Sequence, residues 1–230
     1  MEKDYRIESE KTWDSIAKSF DKTRHKPWQQ CLDFIIETPK ESVVADVACG
    51  NGRHLIPCAK KCKKVIGLDI SRKMLEIVKE KVIQEDILNV NLIHSNAEDI
   101  PVKDETIDAV LYIAALHNIY GKKNRIKSLK EIKRILKKDS KAIISVWSRY
   151  NYKFYKSSKN KNLHSKKIEF GDRHVYWRKD DLNILRYYHF YVKKEFIKDL
   201  NEAGFKSIII KSVKIKSNKY NNNYFAVVTK

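Results

Sequence analysis

Apolar residues along the chain fall into two repeating patterns. Short continuous runs at Val43–Val47, 65–68, Val90–His94, 107–112 and 142–146 predict buried strands. Between them, segments 53–60, 71–83 and 122–137 place apolar residues at helical spacing, as Met74, Leu75, Ile77, Val78 and Val82 show. Ser71 stands where a helix cap belongs. Strand runs alternating with helical segments predict βαβ units and a parallel sheet over 42–147. After Trp147 the period breaks, and 149–162 reads as an exposed insertion of Lys, Tyr, Ser and Asn. A helix over 192–201, closed by Gly204, and a hairpin of strands over Lys206–Val213 and 224–229 complete the chain. The segment up to Glu37 predicts helix on either side of a break at His25-Lys26-Pro27, because the residue before proline avoids the α region.

Composition narrows the class. With 230 residues, 42% of them hydrophobic, the chain fits one large domain and excludes a disordered tail. Its net charge is +19, with 28 basic and 22 acidic residues up to Trp147 but 20 basic against 7 acidic beyond it. Such an excess predicts a polyanionic partner, nucleic acid first, through counterion release. Neither a bilayer-spanning run nor a signal-peptide pattern is visible, so the expectation is a cytosolic protein with no membrane partner. Four cysteines, Cys31, Cys49, Cys58 and Cys62, would stay reduced there, and no CxxC pair or neighbouring His predicts a metal site.

Candidate chemistry begins where the first strand runs into Asp46-Val47-Ala48-Cys49-Gly50-Asn51-Gly52. Glycines at a strand-to-helix corner let backbone approach a ligand that any Cβ would block. Leu55 replaces the third glycine of the dinucleotide fingerprint, which argues against NAD. Asp69 ends the second strand, placed to accept both hydroxyl protons of a ribose. After the third strand comes Asn96-Ala97-Glu98-Asp99-Ile100-Pro101.

In this order the three elements resemble the class I S-adenosylmethionine-dependent methyltransferases over residues 42–147. The resemblance implies an α/β, Rossmann-like fold: a mostly parallel seven-stranded sheet, helices on both faces, an antiparallel C-terminal hairpin. It implies that Asp46, Gly50, Asn51 and Gly52 surround the methionine end, Asp69 with Ile70 the ribose, and Asn96, Ala97 and Glu98 the adenine. The family commonly has Asp where Asn96 stands, and an Asn carbonyl still accepts from the adenine amino group. It also has glycines where Asp139-Ser140 stands, and both residues tolerate turns. The whole chain is expected to form one methyltransferase domain: a helical lid (1–41), the cofactor-binding core (42–147), a basic insertion with a substrate motif (148–190), and a C-terminal helix and hairpin (191–230).

Further clusters narrow the acceptor. Thr23-Arg24-His25-Lys26-Pro27-Trp28, His117-Asn118, Ser145-Val146-Trp147, Val175-Tyr176-Trp177 and Arg186-Tyr187-Tyr188-His189 resemble the tRNA methyltransferases that esterify 5-carboxymethyluridine at the wobble position. Those relatives more often have a second His at Asn118 and Tyr at His25. The product implied is the methyl ester, 5-methoxycarbonylmethyluridine. A carboxymethyl group, with a pKa near ~4, is already an anionic nucleophile at neutral pH, so positioning rather than a general base would do the catalysis. Arg186 and Arg24 are the expected cations, with His117 and Tyr187 as hydrogen-bond orienters. Trp28 and Trp177 are expected to stack on the uracil, and Lys26, Asn118, Trp147, Tyr188 and His189 to complete the substrate surface. The partner implied is a tRNA anticodon stem-loop, gripped in part by the Lys-rich run 153–167, together with a small zinc-binding activator subunit over an apolar sheet edge. Two other readings keep the same fold: a methyltransferase for a different RNA or small molecule, and an inactive RNA-binding subunit.

Overall fold

The structure is a computed structural model that describes residues 5–150, 169–215 and 221–230. Two helices open the described chain, α1 (Tyr5–Asp21) and α2 (Gln29–Glu37), parted at the proline as its φ restriction predicts. There follow β1 (Val43–Val47), α3 (Leu55–Lys61), β2 (Lys64–Asp69), α4 (Arg72–Gln84), β3 (Val90–His94) and β4 (Ile107–Ile113). A single 3-10 turn at Leu116–Asn118 then leads into α5 (Lys122–Ile135) and β5 (Leu136–Trp147). The remainder holds β6 (Asp172–Trp177), β7 (Ile184–His189), α6 (Lys193–Glu202), β8 (Lys206–Val213) and β9 (Asn223–Thr229). Ser71 caps α4 as expected, its Oγ accepting the Met74 N–H at 3.1 Å.

Seven strands make one sheet in the order β3-β2-β1-β4-β5-β9-β8, parallel through β5, with β9 antiparallel to both its neighbours. Alternate residues of each strand serve opposite faces. Ala45 and Val47 of β1 join Ile126, Leu129 and Ile132 of α5 and Phe196 and Leu200 of α6. Val44 joins Phe34 of α2, Leu55 of α3 and Val78 of α4 on the other face. The strand order reverses between β1 and β4, and in open α/β sheets the ligand crevice lies outside the carboxyl ends of the strands at that point.

Two elements differ from expectation. β5 begins six residues earlier than its apolar run: Ile107 pairs with Leu136, then Ala109 with Lys141, and the intervening polar residues bulge out with Asp139 at φ +61°. The second difference lies in the stretch read as an insertion, where β6 and β7 form a separate antiparallel hairpin. It packs on α1 and the 116–118 turn, around Val175, Tyr188, Phe190 and Trp147. The Lys-rich run at 153–167 lies outside the described residues. No described helix is long and apolar enough to cross a membrane, and all four cysteines are buried free thiols.

Candidate active site

One pocket opens at the carboxyl ends of β1, β2 and β4, roofed by α1 and β7. On its cofactor side, the chain leaving β1 takes three left-handed residues, Ala48 (φ +55°), Gly50 (φ +55°) and Gly52 (φ +78°). A Cβ on Gly50 would face only Phe20, 3.9 Å across the pocket, whereas one on Gly52 would strike Val78 at 3.1 Å. Gly52 therefore serves close packing of the loop on α4 and lies outside the pocket lining, which corrects its expected place at the methionine end. Asn51 lines the pocket and ties the loop to the end of α1, its Nδ2 donating to Asp21 Oδ1 (2.7 Å) and to the Arg24 carbonyl (2.9 Å).

Asp69 ends β2 with its carboxylate accepting from the Gly50 N–H and the Ser71 N–H, both at 2.8 Å. Burial raises it to about 6, those two backbone bonds opposing the rise. Each oxygen keeps a second lone pair for a ribose hydroxyl. Asp46 is pushed up to about 8 by burial and by the Asp69 charge, and its Oδ2 has no hydrogen-bond partner. An orphaned carboxylate oxygen in a buried site matches the cationic methionine end of S-adenosylmethionine. Asn96 Oδ1 accepts the Glu98 N–H at 2.8 Å, closing a local turn. That bond explains why Asn serves where relatives have Asp: both side chains accept equally well there. Glu98 in turn receives the Tyr5 hydroxyl and Arg6 Nη2 (3.0 Å), which draw α1 over this end; Ile70 and Ala97 line it. The donor and acceptor set fits S-adenosylmethionine.

The other half of the pocket is aromatic and cationic. Arg186 is buried, donates to the Tyr188 hydroxyl, and lies 4.9 Å from the Trp177 ring, 5.0 Å from Tyr188 and 5.9 Å from Trp13. Arg24 sits 5.8 Å from Trp177 and 5.7 Å from Phe20, held by the Thr23 carbonyl and hydroxyl at 3.2 Å. Burial lowers its pKa and the like charge of Arg186 adds to that. Both arginines line the pocket, and neither forms an ion pair with a carboxylate among the described residues; the acids of the lining, Asp46, Asp69 and Glu98, belong to its cofactor side. His117 Nδ1 accepts the Trp147 N–H at 3.2 Å, which leaves the proton on Nε2. Burial, with His189 and Arg186 nearby, drops its pKa to about 3, so it is a neutral donor at physiological pH. Its ring stacks with Trp147 and Tyr188. Asn118 donates to the Ala114 carbonyl (3.1 Å), and its buried Oδ1 is unpartnered.

Several expected residues are elsewhere. Along β7, Arg186 and Tyr188 face the pocket, so Tyr187 and His189 face away by simple strand alternation. Tyr187 donates to Asp172 Oδ1 (2.6 Å), and His189 bridges Asp172 (2.7 Å) and Glu195 (3.0 Å). Both are corrected from catalytic or substrate contact to anchors of the hairpin. Trp177 is also corrected: its indole N–H donates to Ser19 (2.8 Å) and its ring backs the two arginines instead of offering a face to a base. Lys26 is exposed and outside the lining. Trp28 lines the pocket with Arg53 4.4 Å above its ring. Arg53, directly after the glycine loop, and Trp13 on α1 were missed; a basic residue there carries no local signal, and Trp13 reads as ordinary helix core. Glu169, His189 and Glu195 bring three ligand-type atoms within 4.8 Å, but Arg125 (2.5 Å from Glu169) already supplies the cationic partner.

Comparison with known proteins agrees with this geometry. A methyltransferase-domain family model matches residues 45–144. A tRNA (carboxymethyluridine(34)-5-O)-methyltransferase of Mus musculus is 33% identical over 74% of this chain and 23% of its own length. The protein of the same name from Saccharomyces cerevisiae is 29% identical over 60% of this chain and 47% of its own. The chain thus spans about a quarter of the animal relatives it matches. A methyltransferase structure from Methanosarcina mazei superposes with a TM-score of 0.71 over 89% of this chain and 98% of that one, at 17% identity, which shows the fold. The loop after β1, the acid ending β2, the sheet order and these likenesses together identify the chain as a class I S-adenosylmethionine-dependent methyltransferase that is similar, over part of their length, to curated proteins of that tRNA methyltransferase name.

Proposed function

We propose that this protein methylates the carboxylate of 5-carboxymethyluridine at the tRNA wobble position, giving the methyl ester. The observation that carries the proposal is the pair Arg24 and Arg186, caged by aromatic rings and unpaired by any described carboxylate. Burying a charge without a partner is costly, so the site is built for an anion that arrives with the substrate. S-adenosylmethionine, when bound, supplies the methyl group, the new C–O bond forming as the C–S bond breaks with its electron pair left on sulfur. The carboxylate is ionised beforehand, so no residue has to remove a proton.

The chain's own groups act by placement. Arg186 and Arg24 hold the carboxylate by charge, and His117 Nε2–H donates to one oxygen without competing as a cation. Trp147 and Trp28 line the space for the uracil as apolar walls, and Asn118 Oδ1 is an acceptor for its imide N–H. The anticodon loop presents the base unpaired, so no duplex has to be opened. The reading also carries a cytosolic setting, and a small zinc-binding activator subunit for which both sheet edges have exposed apolar residues, Leu88 before β3 and Ile209 on β8. If the purified chain is stable and binds cofactor alone, that dependence is removed.

Arg186→Ala is expected to lower kcat/KM for ester formation on carboxymethylated tRNA by about 100-fold or more, the scale of losing the group that positions the attacking oxygen. Cofactor affinity should stay near normal. Turnover close to wild type would take Arg186 out of the mechanism.

A further inference from the structure

The basic excess was expected beyond Trp147, yet a further basic surface among the described residues lies on α5, inside the core. Lys122, Lys123, Arg125, Lys127 and Lys130 follow one another there without an acidic residue. Arg125 turns inward to Glu169, whereas Lys123, Lys127 and Lys130 are exposed at the i, i+4, i+7 spacing of one helix face. α6 packs beside α5 and exposes Lys194 and Lys198, again four apart. Two acids meet Lys122 at this junction: buried Asp199 at 4.0 Å, and exposed Glu202, bound at 2.7 Å and in the field of Lys130 and Lys198. Two other helices differ. α4 interleaves Glu76 and Glu80 with its basic residues, and α1 carries Glu8, Glu10 and Asp14. Helix stability does not account for the lysines of α5 either, since its first turn lacks an acid and cations there oppose the macrodipole.

Position gives the ridge a purpose. Asn118 and Ile119 line the acceptor pocket, and α5 starts three residues later at Lys122. From Lys123 to Lys130 the helix rises about 10 Å away from the pocket mouth. We propose that the α5–α6 lysine ridge, carried by Lys123, Lys127, Lys130, Lys194 and Lys198, is a docking track for the phosphate backbone of the RNA whose base enters the pocket. It rests on the tRNA reading above and adds a second contact, one that reads charge and shape with no base specificity.

The test is binding of whole carboxymethylated tRNA across a salt series, by wild type and by the triple variant Lys127→Glu/Lys130→Glu/Lys198→Glu. Affinity is expected to fall about 10-fold or more, and the log–log salt slope to flatten by about 2 to 3, close to one per lost phosphate contact. Lys64→Glu/Lys79→Glu, away from the ridge, should change neither. A Lys→Gln version of the triple variant removes the charge without adding the opposite one and should move both readouts in the same direction, and cofactor binding by each variant confirms the fold. Wild-type affinity and slope in the triple variants would overturn the ridge, as would failure of the wild type to bind tRNA. If the wild type binds with its full slope but esterifies nothing, the ridge stands and the carboxylate reading fails.

Discussion

His117 shows how a single environment sets a chemical role. The unfolded side chain protonates near 6.5, whereas the buried one resists until about 3. Between those values the unfolded state holds the extra proton, so stability is lost as pH falls through the window. His54, depressed by burial and Arg53, acts in the same direction. His117→Asn is therefore expected to shrink the difference in urea midpoint between about pH 5 and about pH 7; an unchanged difference would mean that His117 titrates normally. Asp46 and Asp69 carry the opposite sign. Their pKa values, raised to about 8 and about 6, leave protons on the free protein that a cationic ligand must displace. Cofactor affinity should rise with pH between those values, with proton release on binding visible by calorimetry in buffers of different ionisation heat. The glycine loop and Asp69 were readable because each is placed by a strand end. Residue identity misled for Tyr187 and His189, where neighbours in one motif point to opposite sides of a strand.

At the scale of elements, the β6–β7 hairpin is the part that sequence patterning concealed. Its strands, Asp-Arg-His-Val-Tyr-Trp and Ile-Leu-Arg-Tyr-Tyr-His, bury polar and aromatic residues on both sides, so no apolar alternation marks them. What holds them is a charged network. Burial opposes charge on His189, but its bonds to Asp172 and Glu195 outweigh that and raise its pKa, while Arg125 and Glu169 brace the same corner. Gly171 lies against it: an added Cβ would stand 2.7 Å from both the His189 ring and the Phe190 carbonyl. Gly171→Ala should cost about 1–3 kcal/mol of stability by overpacking and reduce methyl transfer by displacing Arg186. Cofactor binding by the seven-stranded sheet should survive; full activity would show that the hairpin anchors nothing the reaction needs. β5 teaches a smaller lesson. Its polar entry hid half the strand, and Asp139 holds a left-handed turn that glycine adopts without the Cβ penalty. Asp139→Gly is expected to raise stability by about 0.5–1 kcal/mol, read from the urea midpoint.

For the whole molecule, strand and helix runs over 42–147 were enough to specify the doubly wound sheet, because both faces of its strands are buried and read as continuous apolar segments. The pocket was legible as a cofactor site but not as a roofed one, since α1 and the hairpin cover it through contacts 90 or more residues apart, such as Arg6 with Glu98 and Trp177 with Ser19. Net charge pointed to nucleic acid and placed the basic excess beyond Trp147; the fold adds the exposed lysines of α5, which precede it, beside those of α6. Cofactor cleft and caged arginines share one pocket, and α5 starts four residues after its lining residue Asn118, an arrangement suited to an anionic group carried on a polyanion. The decisive measurement is mass spectrometry of wobble nucleosides from carboxymethylated tRNA incubated with the protein and S-adenosylmethionine. The expected result is a gain of one methylene mass on 5-carboxymethyluridine, reversed by mild alkali as an ester must be, with one S-adenosylhomocysteine formed per ester. Unchanged carboxymethyluridine in the presence of bound cofactor, or a methyl group found on any other atom of the tRNA, would contradict it.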